Sequence, residues 1–251
     1  MPDALPTLRA SVDHLAAVAG GLDPAQVGTP AYPSEWTVAD TLSHLGSGAV
    51  IFQRILDDAL GGRETPGDAF PAVWDEWNAK PPPAQAADAL VADRALLDRL
   101  DGLGPSDRAR FRTSFGPMEV DFDGLVGLRL NEHVLHTWDV EVALDPTATL
   151  PPDAAAAVVD GLARVAGFTA RPTGDERTID IVTTEPRRGV AVVLKADSVV
   201  FEYGEPSDGP DLVLTAEACI RLVYGRLDRD HAGGAPEGPV LDELRRVFPG
   251  V

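Results

Sequence analysis

The chain has 251 residues, and its 21 basic against 40 acidic side chains leave a formal charge of −19 at pH 7, a field that repels phosphate backbones and anionic membrane surfaces. No Lys/Arg cluster offsets that field locally, so nucleic acid is not an expected partner. A 44% hydrophobic fraction supports one large domain or two small ones, the single cysteine Cys219 excludes a disulfide or thiolate-rich metal cage within the chain, and the absence of a membrane-length apolar run or a leader-like start points to a cytoplasmic protein without a membrane anchor.

From Asp3 to Ala19, Leu5, Leu8, Val12, Leu15 and Ala19 recur at alternating spacings of three and four, which is one stripe of a helix ended by Gly20-Gly21. A Pro- and Gly-rich loop follows. Thr37-Val38-Ala39-Asp40 then reads as an N-cap with an acidic residue at the third helical position, opening a second helix that runs to about Leu60 and stops at Gly61-Gly62. Between Ala69 and Leu103, Pro81-Pro82-Pro83 must split the chain into two helical pieces. An extended piece spans Phe111 to Val120, and Phe122 to Leu144 reads as a long helix.

A stretch with three prolines, Asp145 to Asp153, has the composition of a linker. It predicts two domains, 1–148 and 153–251, the first a bundle of four helices. Beyond the linker come a helix from Ala154 to Ala166 and β-type runs at Thr178–Thr184, Val190–Ala196, Val199–Tyr203 and Leu212–Leu214. A helix capped by Thr215 runs through Val223, and a last helix covers about Val240 to Phe248. The fold class is α+β: a helical bundle followed by a small α+β domain with a mostly antiparallel sheet.

The helix Phe122 to Leu144 carries the residues of chemical interest. A rotation of 100° per residue gathers Leu125, Leu128, Leu135, His136, Asp139 and Ala143 within roughly 60° of Glu132, so Glu132 and His136 share an inward apolar stripe. An unpaired carboxylate there costs several kcal/mol, so a cationic partner is expected. On the second helix His44 shares a face with Asp40, Ser47, Gly48, Ile51 and Ile55, and the missing side chains of Gly46 and Gly48 admit a close neighbour or leave a cavity. Two imidazoles and a carboxylate converging from facing helices are the donor set of an open, catalytic zinc site; iron and manganese take the same donors. Asp139 is placed to orient His136, and Asp40 stands one turn before His44.

Each residue also has a plainer explanation. A histidine on an apolar face is commonly a hydrogen-bonded core residue, Glu-x-x-x-His is an ordinary helical pair, and Asp40 is accounted for by its cap. His133, turned 100° from Glu132, reads as a flank residue, and Cys219, in an apolar helical run, as a buried inert thiol. Trp74 and Trp77 could line a cavity, although such residues more often fill a core, and are left unassigned; no phosphate-binding glycine loop or nucleophile elbow is present.

Glu35-Trp36-Thr37-Val38-Ala39-Asp40 with Leu42-Ser43-His44-Leu45, and Asn131-Glu132-His133-Val134-Leu135-His136-Thr137-Trp138-Asp139, resemble the mycothiol-dependent maleylpyruvate isomerase family, part of the DinB-like superfamily of metal-binding four-helix bundles. The likeness covers nearly the whole chain. It implies zinc held by His44, Glu132 and His136, mycothiol as a low-molecular-weight thiol cosubstrate, and a small electrophile as substrate. It also implies a C-terminal arginine that binds an anionic substrate, for which Arg226 in Gly225-Arg226-Leu227 is the candidate. The residues leave two other readings open: a hydrolase using metal-bound hydroxide, and a non-catalytic binding module with a structural metal.

Overall fold

The computed structural model describes residues 4–33, 35–115 and 118–250, which form two compact units, 1–148 and 149–251. Asp3, the expected start of the first helix, and Gly116 and Pro117 within the extended piece lie outside the described residues.

The first unit is built on four long helices: α1 (Ala4–Ala19), α3 (Val38–Leu60), α5 (Pro82–Asp101) and α7 (Phe122–Leu144), with shorter helices α2 (Pro24–Val27), α4 (Phe70–Asn78) and α6 (Pro105–Arg110) between them. Helix α3 packs on α5 and α7, and α1 packs on α7 and α5, which closes the four into a bundle. Local chemistry sets the ends. Thr37 Oγ1 accepts the Asp40 N–H at 3.2 Å while Asp40 Oδ2 accepts the Thr37 N–H at 2.8 Å, so two donors that a helix start leaves without partners are satisfied at once. Pro81 holds extended backbone between α4 and α5. Asp121 caps α7 by accepting the Gly124 N–H at 2.8 Å. Strands β1 (Arg112–Phe115) and β2 (Met118–Asp121) pair antiparallel just before α7, with Thr113 opposite Val120.

Two short helices occupy segments without a helical stripe. Helix α2 is one turn held by a capping box in which Asp23 Oδ1 accepts from Ala25 N and Gln26 N and Gln26 Oε1 accepts from Asp23 N. The notch at Gly46 is filled: a Cβ built there would stand 2.2 Å from the Trp77 ring and 2.9 Å from the Ala89 backbone, so Gly46 lets α4 and α5 press against α3. Of the two tryptophans left unassigned, Trp77 fills the core while Trp74 is 43% exposed.

The second unit contains α8 (Pro152–Val158), α9 (Leu162–Thr169), a sheet of β3 (Arg177–Thr184), β4 (Arg187–Leu194), β5 (Val199–Gly204) and β6 (Leu212–Leu214), then α10 (Ala216–Val223) and α11 (Pro239–Val247). The strand order is β5-β4-β3-β6, antiparallel except for the β3/β6 pair. The helix expected over Ala154 to Ala166 is two helices joined by a 3-10 turn at Val159–Gly161. Tyr203 on β5 explains the break: its hydroxyl accepts the Leu162 N–H at 3.0 Å and donates to the Val159 carbonyl, inserting into the helical ladder. Cys219 on α10 is buried, and burial pushes its thiol up to about 12, which leaves it protonated and inert.

Candidate metal centre

Helix α7 is buried on most of its circumference, with Leu125, Val126, Leu130, Val134, Leu135, Trp138 and Val142 all in the core. Polar residues on such a helix must meet partners from its neighbours. Glu132 meets two imidazoles: His44 Nε2 on α3 lies 3.3 Å from Glu132 Oε2, and His136 Nε2, one turn along α7, lies 3.6 Å from the same oxygen. The polar partners that this carboxylate meets are therefore these two histidines.

One donor atom from each of His44, Glu132 and His136 lies within 4.8 Å of the other two, and among the described residues no other set of histidine, cysteine or carboxylate groups does so. Ligands about 2.0–2.1 Å from a tetrahedral zinc stand about 3.4 Å from one another, so the spacing fits a shared ion. The donor types fit as well, since imidazole nitrogen and carboxylate oxygen with an open fourth position are a catalytic zinc set. The carboxylate is less enclosed than its stripe implies: the Glu132 side chain is 43% exposed, His44 36% and His136 14%. Glu132 lies at the edge of the apolar stripe, and that exposure gives the centre an open side.

Asp139 is fully buried, and its Oδ2 lies 2.8 Å from His136 Nδ1, so that nitrogen carries a proton donated to the carboxylate and Nε2 is turned toward Glu132. Asp40 stays with the helix cap, where its carboxylate also accepts from Thr37 Oγ1 at 2.7 Å. Trp36, in the loop before α3, packs on both imidazoles, 5.3 Å from the His44 ring and stacked 5.9 Å from that of His136, while the two imidazoles meet edge to face at 4.6 Å.

These contacts sort the charges. Burial pulls the His44 pKa down, aided by the cations of His136 and Arg129, and the Glu132 hydrogen bond does not restore it. Burial opposes charging His136 too, but its hydrogen bonds with Asp139 and Glu132 win and raise its pKa. Burial would raise Glu132, yet the hydrogen bonds from His136 and His44 hold it well below the ordinary carboxylate range. A permanently ionised carboxylate beside a neutral imidazole suits a divalent cation.

Arg226 follows α10 in the second unit. It is buried, its guanidinium donates to the Tyr224 carbonyl at 2.9 Å, and it lies 5.8 Å from the Tyr224 ring. His133 departs from expectation, being fully buried rather than flanking, with Nδ1 2.8 Å from Ser11 Oγ and Nε2 3.3 Å from Asp93 Oδ2. Asp93 escaped notice although its place was visible: it stands among Ala86, Ala89, Leu96 and Leu100 at core spacing on α5, where a charge demands a buried partner. The space beside Gly48 is taken up by the Arg129 guanidinium. A cleft of about 670 Å³ lies toward the other end of α3, around Ile55, Phe70 and Phe115, and holds none of the three donor residues.

Residues 8–141, more than half the chain, match the family described as the mycothiol maleylpyruvate isomerase N-terminal domain. The chain belongs to that family. Two uncharacterized proteins of Mycobacterium tuberculosis, from strains CDC 1551 / Oshkosh and ATCC 25618 / H37Rv, are each 28% identical over 149 residues, spanning 57% of this chain and 68% of the relative. Among solved structures, a mycothiol-dependent maleylpyruvate isomerase and a histidine-to-alanine mutant of it superpose with a TM-score of 0.66 over 95% of this chain and 97% of theirs. At 16% identity those two establish a shared fold. His44, Glu132 and His136 all lie within the segment that matches the maleylpyruvate isomerase family. Among the described residues, no helix is long and apolar enough to cross a membrane.

Proposed function

We propose that this chain is a cytoplasmic enzyme of the maleylpyruvate isomerase type, an isomerase or S-transferase that joins a low-molecular-weight thiol, mycothiol in the first instance, to a small electrophile. The observation that carries this reading is the convergence of His44, Glu132 and His136 on one point with donor spacing suited to zinc. Membership of the family and its shared fold support the choice of thiol and reaction.

His44 Nε2, a Glu132 oxygen and His136 Nε2 would hold the ion, with Asp139 fixing the His136 tautomer. The bound ion supplies a lowered thiol pKa, and so a thiolate at neutral pH. Glu132 brings one negative charge and the imidazoles none, so the site keeps a net positive charge to attract that thiolate. Trp36 lays an apolar ring against both imidazoles. In the isomerisation, the thiolate forms a C–S bond to a conjugated cis double bond and the π pair moves onto the adjoining carbonyl as an enolate. Rotation follows about the new single bond. The enolate pair then returns, expels the thiolate and leaves the trans isomer, with no net change in protons or electrons. We assign the binding of a substrate carboxylate to Arg226, on the strength of the Gly-Arg motif.

The test begins with elemental analysis of protein purified without added metal, followed by loss of thiol in the presence of an electrophile panel. Alanine at His44, Glu132 or His136 should abolish both metal content and turnover; a variant that keeps stoichiometric metal removes that residue from the donor set. Turnover of a hydrolysable substrate in thiol-free buffer would instead favour the hydroxide chemistry. Arg226→Lys should raise KM for a carboxylate substrate more than it lowers kcat.

A further inference from the structure

Beneath the three donors lies a second polar cluster that the proposed chemistry does not use. Arg129, three residues before Glu132 on α7, donates through one terminal nitrogen to Asp93 Oδ1 of α5 at 2.5 Å and to the carbonyl of Leu45 on α3 at 2.8 Å. Leu45 directly follows His44. His133, directly after Glu132, reaches the other Asp93 oxygen and Ser11 of α1, and Thr137 Oγ1 lies 3.3 Å from His133 Nδ1. Asp93, Arg129 and His133 are each almost completely buried, so one network joins all four long helices at the level of the metal centre. Gly48 makes room for it: a Cβ there would stand 2.8 Å from an Arg129 terminal nitrogen. The lock is incomplete as an energetic device, because Arg129 Nε is buried with no hydrogen-bond partner.

A buried ion pair is poor evidence of stability, since apolar side chains of equal volume often serve as well or better, and its best-attested use is to fix register. Register is what this site requires. Apolar packing leaves the crossing angles of helices scattered by about 15–20°, so it does not by itself hold a helix to one exact orientation. Side-chain tips lie about 5–6 Å from a helix axis, so a turn of about 20° moves a donor by about 2 Å. Metal–ligand distances are held to within about 0.2 Å.

We infer that Asp93, Arg129 and His133 are positioning residues that set the rotation of α7 against α3, so that Glu132 and His136 meet His44. The inference rests on the metal reading given above, and its test separates the two. The full chain is prepared as the apolar triple variant Asp93→Leu/Arg129→Met/His133→Leu. Zinc affinity is measured by chelator competition, and the ring-current shifts that Trp36 imposes on the His44 and His136 imidazole protons are measured by NMR in metal-free protein. The expected result is native helix content and an unchanged or raised Tm, with zinc affinity at least tenfold weaker and the imidazole shifts displaced. A folded triple variant with parental zinc affinity and parental imidazole shifts overturns the inference. If the triple variant does not fold, Arg129→Lys, which keeps the charge but loses the reach to both Asp93 and Leu45, is judged by the same two readouts. If the unsubstituted protein takes up no zinc, the metal reading fails and the lock is decided by the imidazole shifts alone.

Discussion

Asp139 decides which nitrogen of His136 faces the centre. Its carboxylate, 2.8 Å from Nδ1, stabilises the Nδ1–H tautomer and makes Nε2 the better donor. Asp139→Asn keeps the shape but removes the charge, so zinc should bind about 10- to 100-fold more weakly, with helix content unchanged; chelator competition beside circular dichroism checks both. That His44, Glu132 and His136 face inward together was legible in the sequence, because helical rotation puts Glu132 and His136 on one face and His44 among apolar neighbours. His133 was misread by the same rule. A single inward stripe assumes one dry face, whereas α7 is buried on most sides, so a residue turned 100° from the stripe is also inside. Trp36 stood in a quoted motif, but its packing on two imidazoles depends on how the loop before α3 folds back, which no local spacing encodes.

Among the elements, the ends of α3 and α7 were readable because capping and glycine stops are local chemistry, and the proline run separated α4 from α5 for the same reason. The break between α8 and α9 was not readable, since it is made by a hydroxyl more than forty residues away, on β5. The glycines of α3 were seen as missing bulk, but what fills that space belongs to other helices. They predict a contrast. Gly46→Ala presses a methyl into the Trp77 ring and the Ala89 backbone, and overpacking of this kind costs about 1–3 kcal/mol. Gly48→Ala meets only the tip of Arg129, so its cost in stability should be smaller and its effect on zinc affinity larger. Urea titration and chelator competition on the two variants resolve the contrast; equal rankings in both measurements would contradict it.

Across the whole molecule, acid acts on the carboxylates whose pKa folding lowers, among them Asp93, which is sealed inside the bundle. Its buried carboxyl, raised by desolvation but lowered more by Arg129 and His133, has a pKa below the ordinary value. Its stabilising contribution is therefore complete above the unfolded pKa of about 3.9 and is lost as pH falls through the folded value. Tm should drop steeply below about pH 4, and Asp93→Asn, already less stable at pH 7, should show a shallower acid limb in thermal melts. The net charge of −19 makes a second prediction: an anionic electrophile is repelled at long range, so kcat/KM for it should rise as added salt screens the field, while that for a neutral electrophile stays flat.

The sealing of Cys219 into α10 bears on how the chain itself responds to electrophiles. Soft electrophiles alkylate exposed thiolates, and this chain offers none: its one sulfhydryl is protonated and out of reach, and its amines include only two lysines, of which Lys80 is held against Trp77 and Asp88. A soft electrophile thus meets no exposed sulfhydryl on the chain, and iodoacetamide should leave Cys219 of the native protein unlabelled until denaturant exposes it.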